Sequence, residues 1–247
     1  MIVLAHLSDT HFNGESRSTE RADRVFAYLN TLPNRPDAIL VTGDITDHGT
    51  ADEYVQARGS LTSEIPILLC PGNHDDRAAY RTGLLDEDAD ATPINRAHLV
   101  GNAVVAMIDS TVPGEPGGAI APETLAWLQQ VLHGAGPDAP IFIGFHHPPV
   151  ELFSPIVDKM QLVDDGAFRE LIESDPRIVG LFCGHAHTSA STTFAGVPLR
   201  VAPSVSSVLG CDWEGTESPV VTYDVPPSLA FHVLDDGRLT THYRVVV

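Results

Sequence analysis

The 247-residue sequence predicts a mixed α/β (α+β) fold in which two β-sheets pack together with helices outside. Three observations predict it. Apolar runs of strand length alternate with segments of helical periodicity over the first three quarters of the chain. From about residue 191 the pattern changes to short β-rich runs separated by Gly, Pro, Asp and Ser, which marks antiparallel strands. No composition break, repeat, low-complexity tract or linker divides the chain, so residues 1–247 are expected to form one domain with a full core.

The first strand covers about residues 2–8 and leads through a polar loop to a helix near 19–32. There Ala22, Val25, Tyr28, Leu29 and Leu32 recur at helical spacing, and Pro33 stops the helix. Residues 38–41 form a buried strand that runs through Thr42 and Gly43 into Asp44. Thr50-Ala51-Asp52-Glu53 is a capping-box pattern, in which the Thr and Glu side chains satisfy each other's backbone N–H groups. It opens a helix whose apolar face uses Tyr54, Val55, Ala57 and Leu61. A strand at 65–70, a short helix over 75–85 and an acidic loop at 86–93 follow. Strand 103–108 precedes a Pro/Gly-rich loop at 112–118. Pro122, whose fixed φ suits a first helical residue, starts a helix on Leu125, Leu128, Gln129 and Leu132, with Trp127 and Val131 beside the stripe. Strand 141–145, a long loop at 147–163, a helix near 165–174 built on Phe168, Leu171 and Ile172, and a strand at 178–183 complete the alternating part. The β-rich runs are expected at 191–195, 197–202, 219–225, 228–234 and 238–246.

Five of the apolar runs deliver metal-ligand residue types at the same end. Run 2–7 leads to Asp9 and His11, 38–41 to Asp44, 65–70 to Asn73, His74 and Asp75, 141–145 to His146 and His147, and 178–183 to His185 and His187. Ligands gather beyond the carboxyl ends of strands in open α/β sheets. One such Asp or His is as readily a cap or a solvated turn residue, but five together point to one site. In extended chain, residues two apart turn their side chains the same way, so Asp9 with His11, and His185 with His187, can each reach into it. His, Asp and Asn with no Cys among them suit a hydrolytic first-row metal rather than a structural zinc knot.

The ordered series D-x-H, G-D-x-x-D, G-N-H-D, an isolated His in H-H-P-P, and G-H-x-H resembles the calcineurin-like binuclear metallophosphoesterases over roughly residues 1–205. Within that superfamily S-D-T-H-F, P-G-N-H-D, H-H-P-P and C-G-H-x-H are similar to the bacterial class III cyclic nucleotide phosphodiesterases and the glycerophosphodiester phosphodiesterases. The resemblance implies a four-layer αββα sandwich, two mixed sheets flanked by helices. It puts one divalent metal on Asp9, His11, Asp44 and His187 and a second on Asp44, Asn73, His146 and His185, so that Asp44 bridges. It implies hydrolysis by a metal-bridging hydroxide, with His11, Asp44, Asn73, His74 and His187 around the substrate and His74 protonating the leaving oxygen. Asp75 is expected to orient the His74 ring, and Asp47 to hold a ligand His or the turn. The two ions are expected to be Fe or Mn, with Zn or Co acceptable to the same ligands.

Phosphoprotein phosphatases of the superfamily usually read G-D-x-x-D-R-G and G-N-H-E. Here the first segment runs from Gly43 to Gly49 with His48 in the Arg place, and Asp75 ends the second, which favours a diester. The expected substrate is a small phosphodiester, a 3′,5′-cyclic nucleotide with cyclic AMP foremost. Glycerophosphodiesters or promiscuous diester and monoester hydrolysis form the alternative, and a metal-binding protein-interaction scaffold the non-enzymatic one. Substrate shape is expected to be set by loop 13–18, by loop 147–163 with Phe153 and Met160, and by segment 203–218 with Cys211 and Trp213. His6 is expected in the core, His147 as the turn neighbour of His146, and His48, His98, His133, His232 and His242 as surface or packing residues.

Lys plus Arg number 14 against 33 Asp plus Glu, a net charge of -19, which argues against long nucleic acid because counterion release needs basic groups. A metal pair outweighing Asp9, Asp44 and a bridging hydroxide would still attract a phosphodiester. Cys70, Cys183 and Cys211 are too few for a disulfide framework and read as thiols in a reducing compartment. The N-terminus lacks a basic region and cleavage site, and the first apolar run is too short to span a membrane, so cytoplasmic residence without a membrane partner is expected. The short stretch after the last β run leaves little room for an oligomer-building cap, so a homodimer of the cyclic-nucleotide type is expected.

Overall fold

Alternation decides where the central strands lie. In β1 (Ile2–Leu7) and β2 (Ala38–Thr42), Ile2, Leu4, Ala38 and Leu40 enter one apolar cluster, while Ala5, Leu7, Ile39 and Val41 enter another. Strands of that kind need cover on both faces. A computed structural model describes residues 1–163, 166–214 and 221–247 and shows what provides the cover.

Helix α1 (Ser16–Thr31) joins β1 to β2, and α2 (Ala51–Ser60) joins β2 to β3 (Ile67–Cys70). The short α3 (Arg77–Tyr80) continues into a π-helical turn at Arg81–Leu85, followed by β4 (Arg96–Val100), β5 (Ala103–Met107) and the two-residue β6 (Gly118–Ala119). Next come α4 (Pro122–Gly134), β7 (Ile141–Gly144), the two-residue β8 (Leu162–Val163), α5 (Ala167–Ser174) and β9 (Ile178–Cys183). The remainder is β: β10 (Ala190–Phe194), β11 (Val197–Val201), the short β12 (Val208–Leu209) and β13 (Val221–Thr222), and a hairpin of β14 (Ser228–Asp235) and β15 (Arg238–Val245).

One sheet has the order β15-β14-β1-β2-β3, in which β1, β2 and β3 are parallel and the C-terminal hairpin adds antiparallel strands. The other has the order β10-β11-β9-β7-β5-β4, parallel from β11 to β5 with antiparallel edges. Leu4, Leu40, Val105, Met107, Phe142 and Phe182 fill the space between the sheets. Phe26, Leu29 and Tyr54 pack α1 and α2 on the first sheet, and Leu128, Phe168 and Ile172 pack α4 and α5 on the second. The result is the expected four-layer αββα arrangement. Each such fully buried side chain contributes about 1.5–3 kcal/mol.

Local signals behave as their chemistry requires. Glu53 N–H donates to Thr50 Oγ1 at 3.4 Å and Thr50 N–H to Glu53 Oε2 at 3.1 Å, completing the capping box, and Pro122 opens α4. Several assignments differ from expectation. Helix α1 begins at Ser16 rather than near 19; in its first turn the buried Ser18 hydroxyl bonds Asn13 Oδ1 at 3.3 Å and the Glu15 carbonyl at 3.1 Å. The segment 75–85 changes from α to π winding midway. Strand β4 and the two-residue β6, β8 and β12 are not among the expected strands; β4 is an edge strand with Leu99 facing out at 77% exposure. The run expected at 219–225 is a strand only at Val221–Thr222, with 219–220 outside the described residues, as is Asp165 of the helix expected at 165–174.

Candidate metal centre

Five parallel strands, β1, β2 and β3 of one sheet and β7 and β9 of the other, send their next residues to one place. Beyond them the backbone turns sharply. Asp9, His11, Asp44, His185 and His187 all take the left-handed conformation, with φ of 55°, 45°, 47°, 68° and 52°. That conformation costs a non-glycine residue roughly 1–2 kcal/mol, and cross-connections hold it. Asp9 N–H donates to the Gly43 carbonyl at 3.1 Å and His11 N–H to the Asp44 carbonyl at 3.0 Å. His185 N–H, from the other sheet, donates to Asp9 Oδ1 at 3.1 Å. Glycine is required where these turns touch: Gly43 has φ of 90°, and a Cβ on Gly72 would overlap the Asp44 carboxylate and amide.

The side chains converge as two clusters sharing Asp44. In the first, His11 Nε2 lies 3.1 Å from His187 Nε2 and 3.6 Å from Asp44 Oδ2, and His187 Nε2 lies 3.7 Å from Asp9 Oδ1. The ligand atoms of Asp9, His11, Asp44 and His187 all fall within 4.8 Å of one another. In the second, His146 Nε2 lies 3.2 Å from each of Asp44 Oδ2, Asn73 Oδ1 and His185 Nδ1. Asp44 Oδ2 therefore faces both groups, while its Oδ1 accepts the His74 N–H at 3.0 Å.

Outer partners aim the rings. His11 Nδ1 bonds Asp47 Oδ1 at 2.9 Å, His146 Nδ1–H donates to the Thr42 carbonyl at 2.7 Å, and His187 Nδ1 bonds Ser207 Oγ at 2.8 Å. Each bond turns Nε2 inward, the geometry in which imidazole serves as a metal ligand. The charge states show the strain of keeping these groups together. Burial raises the Asp9 carboxyl to about 6. Burial opposes ionisation of Asp44 too, yet His146 overrules it and holds that carboxyl well below the usual range. His146 shows the reverse: burial pulls it down, and Asp44 pushes it up to about 9. Burial pushes His185 and His187 down to about 3. Asp9 Oδ2 is buried with no hydrogen-bond partner among the described residues. A carboxylate oxygen without a donor, beside inward-facing imidazole nitrogens, fits divalent cations.

His74 sits at the edge of this centre with its Nδ1–H donated to the Asp47 carbonyl at 2.8 Å. Asp75 does not orient that ring. Its carboxylate instead accepts from the N–H groups of Ile45, Thr46 and Gly72 and from the hydroxyls of Thr46 and Tyr54, tying the β2 loop to the β3 loop. A carboxylate that fully occupied has no oxygen left for an imidazole. His147 is more than a turn neighbour: it is buried, bonds Ser110 Oγ at 2.8 Å, and belongs with His146 and His185 to a third set of ligand atoms within 4.8 Å. His6 is a core residue as expected, bonded to Thr42 and to the buried His232.

A cavity of about 620 Å³ opens from the centre and is lined by His11, Asp44, Asn73, His74, His185 and His187 on one part. Of the segments expected to shape the substrate, 13–18 reaches it through Asn13 and through Arg17, which lies in the first turn of α1, and 147–163 through Met160. Phe153 and Trp213 do not; they are 62% and 70% exposed, and Cys211 is also absent from the lining. Residues 215–218 of the segment expected to shape the substrate lie outside the described residues. Arg21 and Tyr223, which do line the cavity, carried no sequence signal, because they reach it from a helix and a loop with no ligand-type motif.

Residues 2–189 match the profile of the calcineurin-like phosphoesterases. The chain belongs to that family. This phosphoesterase is 33% identical over 245 residues to a glycerophosphodiester phosphodiesterase, GpdQ, of Enterobacter lignolyticus, covering 94% of this chain and 86% of the other. It is 34% identical over 213 residues to a probable cyclic nucleotide phosphodiesterase of Rhodococcus erythropolis, covering 81% of this chain and 70% of the other. Among solved structures, a dimetal phosphatase from Danio rerio shares the fold with a TM-score of 0.72, over 100% of this chain and 96% of that one, at 13% identity. No helix among the described residues is long and apolar enough to cross a membrane.

Proposed function

We propose that this phosphoesterase is a metal-dependent phosphodiesterase acting on small phosphodiesters, 3′,5′-cyclic nucleotides foremost. The observation that carries the reading is Asp44 Oδ2, which lies 3.6 Å from His11 Nε2 and 3.2 Å from His146 Nε2 and so faces both clusters. In this reading Asp9, His11, Asp44 and His187 hold one ion, and Asp44, Asn73, His146 and His185 hold the other. When bound, two divalent ions supply Lewis acidity and an activated water for in-line attack on phosphorus. The chain's residues do the rest. Asn73 and His74 meet the phosphoryl oxygens at the cavity floor. As the water oxygen bonds to phosphorus and the bond to the 3′ oxygen breaks, His74 gives its Nε2 proton to that oxygen, its other nitrogen being held by the Asp47 carbonyl. His11 and His187 orient the attack face, with Asp47 and Ser207 fixing their rings.

The cyclic-nucleotide choice is supported by the Rhodococcus relative and by an Arg-free Gly43 to Gly49 segment. A glycerophosphodiester substrate has support of equal kind in the Enterobacter relative. Fe or Mn ions and a cytoplasmic homodimer belong to the same reading, tested by metal analysis and light scattering of the purified protein. The deciding experiment is steady-state hydrolysis of 3′,5′-cyclic AMP, glycerophosphodiesters and bis(p-nitrophenyl) phosphate by manganese-loaded protein, with Asn73→Ala and His74→Ala alongside. Highest kcat/KM on cyclic AMP, with His74→Ala lower by about 10²–10⁴, is the expected outcome. Turnover of the chromogenic diester without cyclic AMP would move the substrate to the glycerophosphodiester class, and no diester turnover would sink the enzyme assignment.

A further inference from the structure

The cavity has two chemically different linings. Beside the polar centre stands an apolar wall of Ile156, Met160, Leu209 and Val221, contributed by two segments far apart in sequence, and with it the exposed pair Arg17 and Tyr223. The Arg17 guanidinium carbon lies 5.0 Å from the centre of the Tyr223 ring, and the same group donates to the Tyr223 carbonyl. Cation and ring thus form a stack held at two points. Arg21 holds the segment under it: its Nε donates to the Val205 carbonyl at 2.6 Å, Nη1 to the Tyr223 carbonyl at 3.3 Å and Nη2 to the Val225 carbonyl at 2.8 Å. With its donors used in this way and the residue itself 8% exposed, Arg21 acts as a brace rather than as a ligand group.

A diester of a small polar alcohol would leave this wall in contact with water, at a cost proportional to the apolar area left wet. A purine has flat apolar faces for the wall and a π-surface for the stack, and a cavity of about 620 Å³ accommodates a whole nucleoside. We infer that the Arg17–Tyr223 pair and the Met160–Leu209 wall form a nucleobase subsite, so that the preferred phosphodiester carries a purine base. The inference rests on the phosphodiesterase reading for the position of the phosphate. It does not depend on which bond is cleaved. Because Arg21 fixes the platform before ligand arrives, little ordering accompanies binding. Base recognition here is by stacking and burial, which tolerates either purine.

The test compares two ligands that share a ribose and a phosphate and differ only in the base. Adenosine 5′-monophosphate and ribose 5-phosphate are titrated into manganese-loaded protein by calorimetry, with wild type, Tyr223→Ala, Tyr223→Phe and Met160→Ala. Wild type is expected to hold the nucleotide at least about tenfold tighter. Tyr223→Ala and Met160→Ala are expected to erase most of that ratio with the ribose 5-phosphate affinity held, while Tyr223→Phe keeps it. Thermal melting confirms that each variant is folded. Equal affinities in wild type, variants that weaken both ligands by one factor, or no binding of either ligand would overturn the subsite. Cyclic AMP hydrolysis is read separately. If it is missing while the tenfold ratio stands, the cyclic-nucleotide substrate falls and the subsite remains; if it is present while the ratio is one, the reverse holds.

Discussion

His11 and His187 face each other Nε2 to Nε2 at 3.1 Å, although the Nδ1 of each is already engaged, by Asp47 and by Ser207. When both Nδ1–H groups point outward, two lone pairs meet inside, and either a proton or a cation relieves the repulsion: burial opposes a charge on His11, but Asp47 and Asp44 hold its imidazole above the usual range, and neutral His187 can accept from it. A divalent cation taken up by this pair together with Asp9 and Asp44 binds the folded chain and not the unfolded one. Chelation should therefore lower the melting temperature, and manganese at a hundredfold excess over its Kd should restore about 2.7 kcal/mol per site. A thermal melt unchanged by chelator and by added manganese would remove the metal centre from the account.

Asp47 contributes to two rings by different atoms. Its carboxylate bonds His11 and its carbonyl accepts from His74. Asp47→Ala removes the first and keeps the second. The expected result is a loss of about 10- to 100-fold in metal affinity or activity, most of it recovered by excess metal. Activity measured against manganese concentration checks this; a loss that excess metal cannot recover would mean that the side chain acts elsewhere.

The chain Thr42–His6–His232–Thr241 is buried between strands, with bonds of 2.9, 3.0 and 2.9 Å. Burial pushes His6 down to about 3 and holds His232 well below its usual range. The unfolded chain takes up protons there that the folded chain refuses, so stability is complete above about pH 6.5 and is lost as the pH falls toward about 3. Each histidine steepens the loss by about 1.4 kcal/mol per pH unit in that window. Denaturant unfolding of the chelated protein between pH 7 and pH 5 should show a shallower fall for His232→Gln than for wild type. Identical slopes would show that the pair does not govern acid stability.

Gly72 touches Asp44 so closely that a side chain there must displace it. Gly72→Ala is expected to cost about 1–3 kcal/mol as overpacking and to lower metal affinity through Asp44. Gly134→Ala, at the end of α4 with open space around it, is the neutral control. Urea midpoints and metal titrations for both variants decide the matter. A neutral Gly72→Ala would mean that the β3 loop can yield without moving Asp44.

What the sequence determined by itself was local or periodic. The capping box at Thr50 and Glu53, the helix start at Pro122, the alternation of β2 and the arrival of Asp, Asn and His residues after five apolar runs all follow from neighbours within a few positions. Those features are written in consecutive residues because turn chemistry and side-chain period act over that range. Tertiary structure alone decided the partners. Asp75 went to backbone amides of the β2 loop rather than to its neighbour His74, His147 found Ser110, and His232 found His6 across 226 positions. It also set β4 at an edge, and brought Arg17 and Tyr223 together, 206 residues apart, beside the cavity. A buried polar group must be paired by whatever donor or acceptor the packed fold leaves within reach, and chain neighbours alone do not reveal which one that is.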